Sequence, residues 1–84
     1  MKAYTEEEKE FKKQGRENAR KLENKYHFTK MSKHEFMDFV EDTCIKRSLL
    51  LANNWNKTEE EDAEFNLLLW TQEAMQKIYK AATK

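Results

Sequence analysis

The chain of 84 residues contains no proline and one glycine. All-β folds turn on these two residue types, so their scarcity argues against strands joined by tight turns. One cysteine and two histidines exclude a disulfide framework and leave no obvious ligand set for a structural metal. That cysteine usage fits a reducing compartment, and the expected location is cytoplasmic. No apolar run approaches the roughly 18 residues that span a bilayer, and the opening MKAYTEEEKEF lacks the apolar core of a signal peptide, so no membrane partner is expected. Charge of one sign is also missing. Sixteen Lys and Arg balance sixteen Asp and Glu, and no global field draws the protein to nucleic acid or lipid.

What is present favours helix. Hydrophobic residues make up only 38% of the chain, but ten aromatics and a strong apolar rhythm argue against disorder. Glu, Lys, Leu, Ala and Gln are good helix formers. Three capping boxes, Thr5 with Glu8, Ser32 with Glu35 and Thr58 with Glu61, divide the chain into thirds. Met31 and Phe36 stand at the two positions of a hydrophobic staple around the second box. The spacing predicts an all-α three-helix bundle, with helices at about 6–27, 33–53 and 59–82, forming a single helical domain over 1–84. A domain this short hides only about two-thirds of the surface of its unfolded chain, so self-association would add stability. Acidic residues crowd the first turns, and Lys77, Lys80 and Lys84 the last, as the helix dipole prefers.

The stretch HEFMD at 34–38 nearly matches the helical H-E-x-x-H zinc signature, with Asp38 in place of the second His. Glu35 already serves the second capping box, however, and His34 and Asp38 fall about 120° and 160° from the apolar face centred on Val40. Neither His27 nor Cys44 offers a third ligand. The stretch is therefore read as a helix start, and no metal or cofactor is expected.

The first helix carries a thin stripe of Phe11, Gly15, Ala19, Leu22 and Tyr26, with Tyr4 in line before it. Gly15 costs roughly 1 kcal/mol relative to Ala in a helix interior. It either permits close approach of another backbone or is merely tolerated, and this helix is expected to be the least firmly held. Opposite the stripe, Lys9, Lys13, Arg16 and Arg20 form a basic face with Lys12 beside them, and no aromatic lies among these charges to stack on bases. The second helix shows a wide arc of Phe36, Met37, Phe39, Val40, Cys44, Leu50 and Leu51, continued by Trp55, which suits packing against two neighbours. Cys44 reads as a core residue and not a nucleophile. Ile45, Leu49 and Ala52 fall on another side. The third helix carries two seams. Phe65, Leu68, Met75, Tyr79 and Ala82 form one, which suffices to close a monomer. Ala63, Leu67, Trp70, Ala74, Ile78 and Ala81 form the other, with Leu69 beside it, and Trp70 either folds back over the thin first helix or anchors another molecule.

No phosphate-binding loop, nucleophile elbow or Cys–His pair on one face is present, so the chain is not expected to be an enzyme. The leading expectation is a small interaction protein: an inhibitor, adaptor or regulatory subunit acting on a protein partner and forming a homo-oligomer. Short chains without cofactors and with unusual apolar helix faces are the profile of inhibitors and host-directed factors made by phages. The expected partner-binding residues are Trp70, Leu69, Leu67 and Ala74 as one anchor and Ile45 with Leu49 as a second patch. The alternative expectation is nucleic-acid binding through Lys9, Lys13, Arg16 and Arg20.

Overall fold

A computed structural model describes residues 6–83. Among them the chain forms three helices in contact. Helix α1 covers Glu6–Tyr26, α2 covers 33–52 with an internal π-helical turn at Glu41–Ile45, and α3 covers Glu59–Ala82. The expected all-α bundle and its three boundaries are thus found in place. The Ser32–Glu35 and Thr58–Glu61 capping boxes both form, each with the hydroxyl accepting from the Glu amide and the Glu side chain reaching back to the cap amide. They satisfy amides that have no partner inside the helix. Thr5, Tyr4 and Lys84 lie outside the described residues.

The connection between α1 and α2 is built tightly. α1 ends where His27 takes left-handed angles, φ 54° and ψ 50°, and its N–H donates to the Glu23 carbonyl at 2.8 Å, the role usually given to glycine. The Glu23 carboxylate then accepts from the Thr29 amide at 3.0 Å and from its hydroxyl at 2.6 Å. This hook drives Phe28 into the core, where it is fully buried.

Helices α1 and α3 run parallel, because Phe11 shares a groove with Asn66, Gly15 abuts Trp70 and Arg16 shares a cavity with Lys77. α2 runs against both, since Arg47 pairs with Glu64 and Phe36 stacks on Tyr79. The core gathers Ala19, Phe28, Phe36, Val40, Cys44, Ala74 and Met75. Burial of each large member contributes about 1.5–3 kcal/mol. The Phe36 and Tyr79 rings lie parallel with centroids 4.0 Å apart, and the Tyr79 hydroxyl donates to the Met31 carbonyl at 2.8 Å, tying α3 to the entry of α2.

Gly15 decides how α1 and α3 meet. A Cβ added there would lie 2.7 Å from the Trp70 carbonyl carbon, 2.7 Å from the Trp70 Cβ and 2.8 Å from the Thr71 amide nitrogen. The glycine is therefore required by close backbone approach and is not merely tolerated. Both seams of α3 are consequently used within the chain: Tyr79 faces α2, while Trp70 covers Gly15 and Ala74 is buried in the core. Of the two readings of the second seam, packing over the first helix or docking another molecule, the structure has Trp70 and Ala74 take the first.

The π turn corrects a second expectation. The Lys46 amide donates to the Glu41 carbonyl, five residues back, so the turn holds one extra residue and every later side chain lags by about 100° relative to an unbroken α-helix. Ser48 turns inward, 6% exposed, and Leu50 turns outward, 66% exposed. The Ser48 hydroxyl donates to the Ile45 carbonyl at 2.9 Å, and Thr43 donates to the Phe39 carbonyl at 2.8 Å. The buried serine and the carbonyl disturbed by the turn are thereby satisfied.

Two substitutions test this packing. Gly15→Ala should lower the unfolding free energy by about 2 kcal/mol in urea titrations followed by circular dichroism, although alanine is the better helix former, because α1 must shift outward. His27→Gly should raise it by about 0.5 kcal/mol by removing a side chain from a left-handed position.

Candidate functional site

The residues expected to form the first anchor separate in space. Ala74 is 7% exposed within the core and is unavailable to another molecule. Trp70 is half-buried over α1, with the Lys12 Nζ 5.7 Å from its ring centroid. Leu67 is half-buried beside Leu22 and Thr43. Only Leu69 of this group is well exposed, at 44%. The physical reason is the stripe of small residues on α1, Gly15 and Ala19, which lets α3 approach until its second seam is covered.

The second patch stands differently. Ile45 is half-buried and lines a groove of about 560 Å³ between α2 and the C-terminal part of α3. Phe36, Val40 and Tyr79 line this groove together with Met37, which is 59% exposed. Leu49, 58% exposed, follows Ile45 by four residues on the same side of α2. The π turn produces this alignment. From Met37 to Leu49 an unbroken helix rotates by about 120°, whereas one extra residue in the turn reduces the drift to about 20°. Met37, Ile45 and Leu49 therefore form one apolar flank, roughly 18 Å long at the α-helical rise.

The groove has a simple charge pattern. Lys33 and Lys80 line it with Gln76 and Thr83, and no carboxylate does. Neither lysine belongs to an ion pair among the described residues. At the other end of α2 the bidentate pair of Arg47 with Glu64, at 2.8 and 3.1 Å, holds the Glu64 carboxyl below the usual range. Beyond it, Trp55 is 97% exposed. The expectation that Met37, Leu50 and Trp55 continue a buried arc is thus overturned. The π turn rotates Leu50 out, and α2 ends before the chain can bring Trp55 back over the core.

On α1, Lys9, Lys13, Arg16 and Arg20 are exposed, and Lys9 lies 3.9 Å from Glu6. The tertiary structure supplies what the sequence of this face lacks: Trp70, from α3, lines a small cavity with Lys12 and Arg16. His34 and Asp38 pair at 3.5 Å on the exposed side of α2, and among the described residues no group of three or more His, Cys, Asp or Glu is placed to hold a metal ion. Cys44 lies 3.9 Å from the Met75 sulfur, and burial pushes its thiol up from the ordinary value. No described helix is long and apolar enough to cross a membrane.

Ile45 and Leu49 were legible in the sequence as apolar residues off the main arc, but neither the groove beside them nor the exposure of Trp55 was. In the run Leu49–Leu50–Leu51, the sequence places Leu51 inward and Leu49 off the arc, as found, but the outward turn of Leu50 depends on the phase set by the π turn at 41–45. At concentrations where the chain is monomeric, Leu49→Asp, Leu50→Asp and Trp55→Asp should each change the unfolding free energy by no more than about 0.5 kcal/mol, whereas Val40→Asp should abolish the cooperative transition. A disulfide-forming thiol reagent should label Cys44 slowly in the native protein and completely in urea.

The chain matches no protein-family model, no curated protein and no solved structure.

Proposed function

We propose that this protein is a non-enzymatic interaction module that acts by occupying a surface of another protein molecule, as an inhibitor, adaptor or regulatory subunit does. One observation carries this reading. Of the six large hydrophobics left exposed among the described residues, four belong to α2 and the turn that follows it: Met37, Leu49, Leu50 and Trp55, at 59%, 58%, 66% and 97% exposure. Scattered apolar residues on a surface are ordinary, but their concentration on one element supports a binding role for it. Trp is the residue type most enriched among energetic hot spots, and Met adapts its shape to a partner. The lysines beside the groove would contribute to specificity and association rate more than to affinity.

A photo-crosslinking residue placed at Leu49, Leu50 or Trp55 in the cells that make the protein tests this reading. Discrete crosslinked protein products are expected there, and none from the same group at Glu17, which is exposed on α1. Equal yields at all four positions, or no product at any, would refute it.

A second reading, nucleic-acid binding through α1, is favoured by the placement of Trp70 beside Lys12 and Arg16 at the edge of the basic face. Lys13, Arg16 and Arg20 would meet phosphates while the indole edge meets a base. Binding of the unmodified protein to generic RNA or DNA should then weaken steeply with salt, and replacing those three residues by Glu should abolish it. Salt-independent or undetectable binding removes this reading.

A further inference from the structure

We infer that the apolar flank of α2 is a self-complementary interface, and that a second copy of this chain packs on it antiparallel about a two-fold axis. The inference rests on the interaction-module reading above and names the partner.

The flank has two chemically different ends. Its first end is a receptacle: the groove with Phe36, Met37, Val40 and Tyr79, bordered by Lys33 and Lys80 and by no carboxylate. Its second end projects. Leu49 is exposed, and past the helix end stands the Trp55 indole at 97% exposure. Four and five residues after Trp55 come Glu59 and Glu60, both exposed in the first turn of α3 and in no ion pair among the described residues. An apolar hollow with cations at one end thus matches an apolar projection with anions at the other.

The spacing along α2 fits a single axis. Met37 and Leu49 are centred on position 43, Lys33 and Trp55 on position 44, and the exposed pair Glu41 and Lys46 between the two. A two-fold axis across the helix there sets Met37 against Leu49 of the second copy, Glu41 against Lys46, and Trp55 over the groove at Lys33. The same operation carries Glu59 and Glu60 toward Lys33 and Lys80. Each contact occurs twice, which is the defining property of an isologous interface, and such an interface closes at two subunits. The π turn lies at the centre. Without it Met37 and Leu49 would stand about 120° apart and could not share a face. Charge complementarity selects a second copy over a foreign helix, because this chain itself carries both halves of the match.

Sedimentation equilibrium of the full chain should give a dimer. Leu49→Asp should weaken it at least about tenfold, as should Lys33→Glu with Lys80→Glu, and adding Glu59→Lys with Glu60→Lys to the latter should restore it. In chains carrying Cys44→Ala, shown to be folded by circular dichroism, Met37→Cys and Leu49→Cys variants should form a disulfide-linked dimer when mixed. Neither should do so alone, because residues 37 of the two copies would lie roughly 18 Å apart. A monomer at the highest soluble concentration overturns the inference, as does a dimer indifferent to Leu49→Asp or one that crosslinks through Met37→Cys alone. A monomer that still gives crosslinks to a different protein at position 49 would remove the self-interface and leave the interaction-module reading standing. A monomer without crosslinks would remove both.

Discussion

The approach of α1 to α3 at Gly15 constrains most of the rest of this bundle. With Trp70 and Thr71 backbone atoms under 3 Å from the place of an absent Cβ, the two parallel helices are closer than ordinary side chains allow. Apolar area on α1 is scarce, so contact of this kind, made of many weak dispersion attractions, substitutes for bulky packing. The consequence reaches across α3. One side of that helix is consumed by α1, the other by the Phe36–Tyr79 stack against α2, and α3 becomes the central element, with Thr71, Ala74 and Met75 all buried.

With α3 occupied on two sides, the apolar surplus falls to α2. That helix serves the core at Phe36, Val40 and Cys44 and again at Ser48 and Leu51, a series that an unbroken α-helix would spread over about 120°. The π turn absorbs one residue and narrows that spread to about 80°, and Thr43 supplies a hydroxyl to the carbonyls beside the turn. Such turns are found often at functional positions. Here the same adjustment that narrows the buried arc also collects Met37, Ile45 and Leu49 into one flank beside a groove.

The electrostatic layout follows from topology as much as from composition. Because α1 and α3 are parallel, their acidic first turns, Glu6 to Glu8 and Glu59 to Asp62, share one end of the bundle. Lysines 33 and 80 sit at the other, where α2 starts and α3 ends. A chain with zero formal charge thus has two differently charged ends, each adjoining exposed apolar residues of α2 or its following turn. Such an arrangement favours orientation-specific contact over non-specific adhesion.

The sequence by itself determined the helical class, the three boundaries and the two described capping boxes, because caps and apolar periodicity act over three to four residues and are local. It also singled out Ile45 and Leu49 as apolar residues off the main arc, and left open whether Gly15 was a contact. The exposure of Leu50 was not legible, since a single extra residue in one turn shifts every later position. The sequence left open whether Trp70 covers the first helix, and it placed Trp55 on the apolar arc where the structure leaves it in solvent. Both are indoles beside helical surface, and only the path of a distant helix separates them. The structure alone decided these points, because burial is a property of what packs opposite a residue, and that neighbour lies many positions away in the chain.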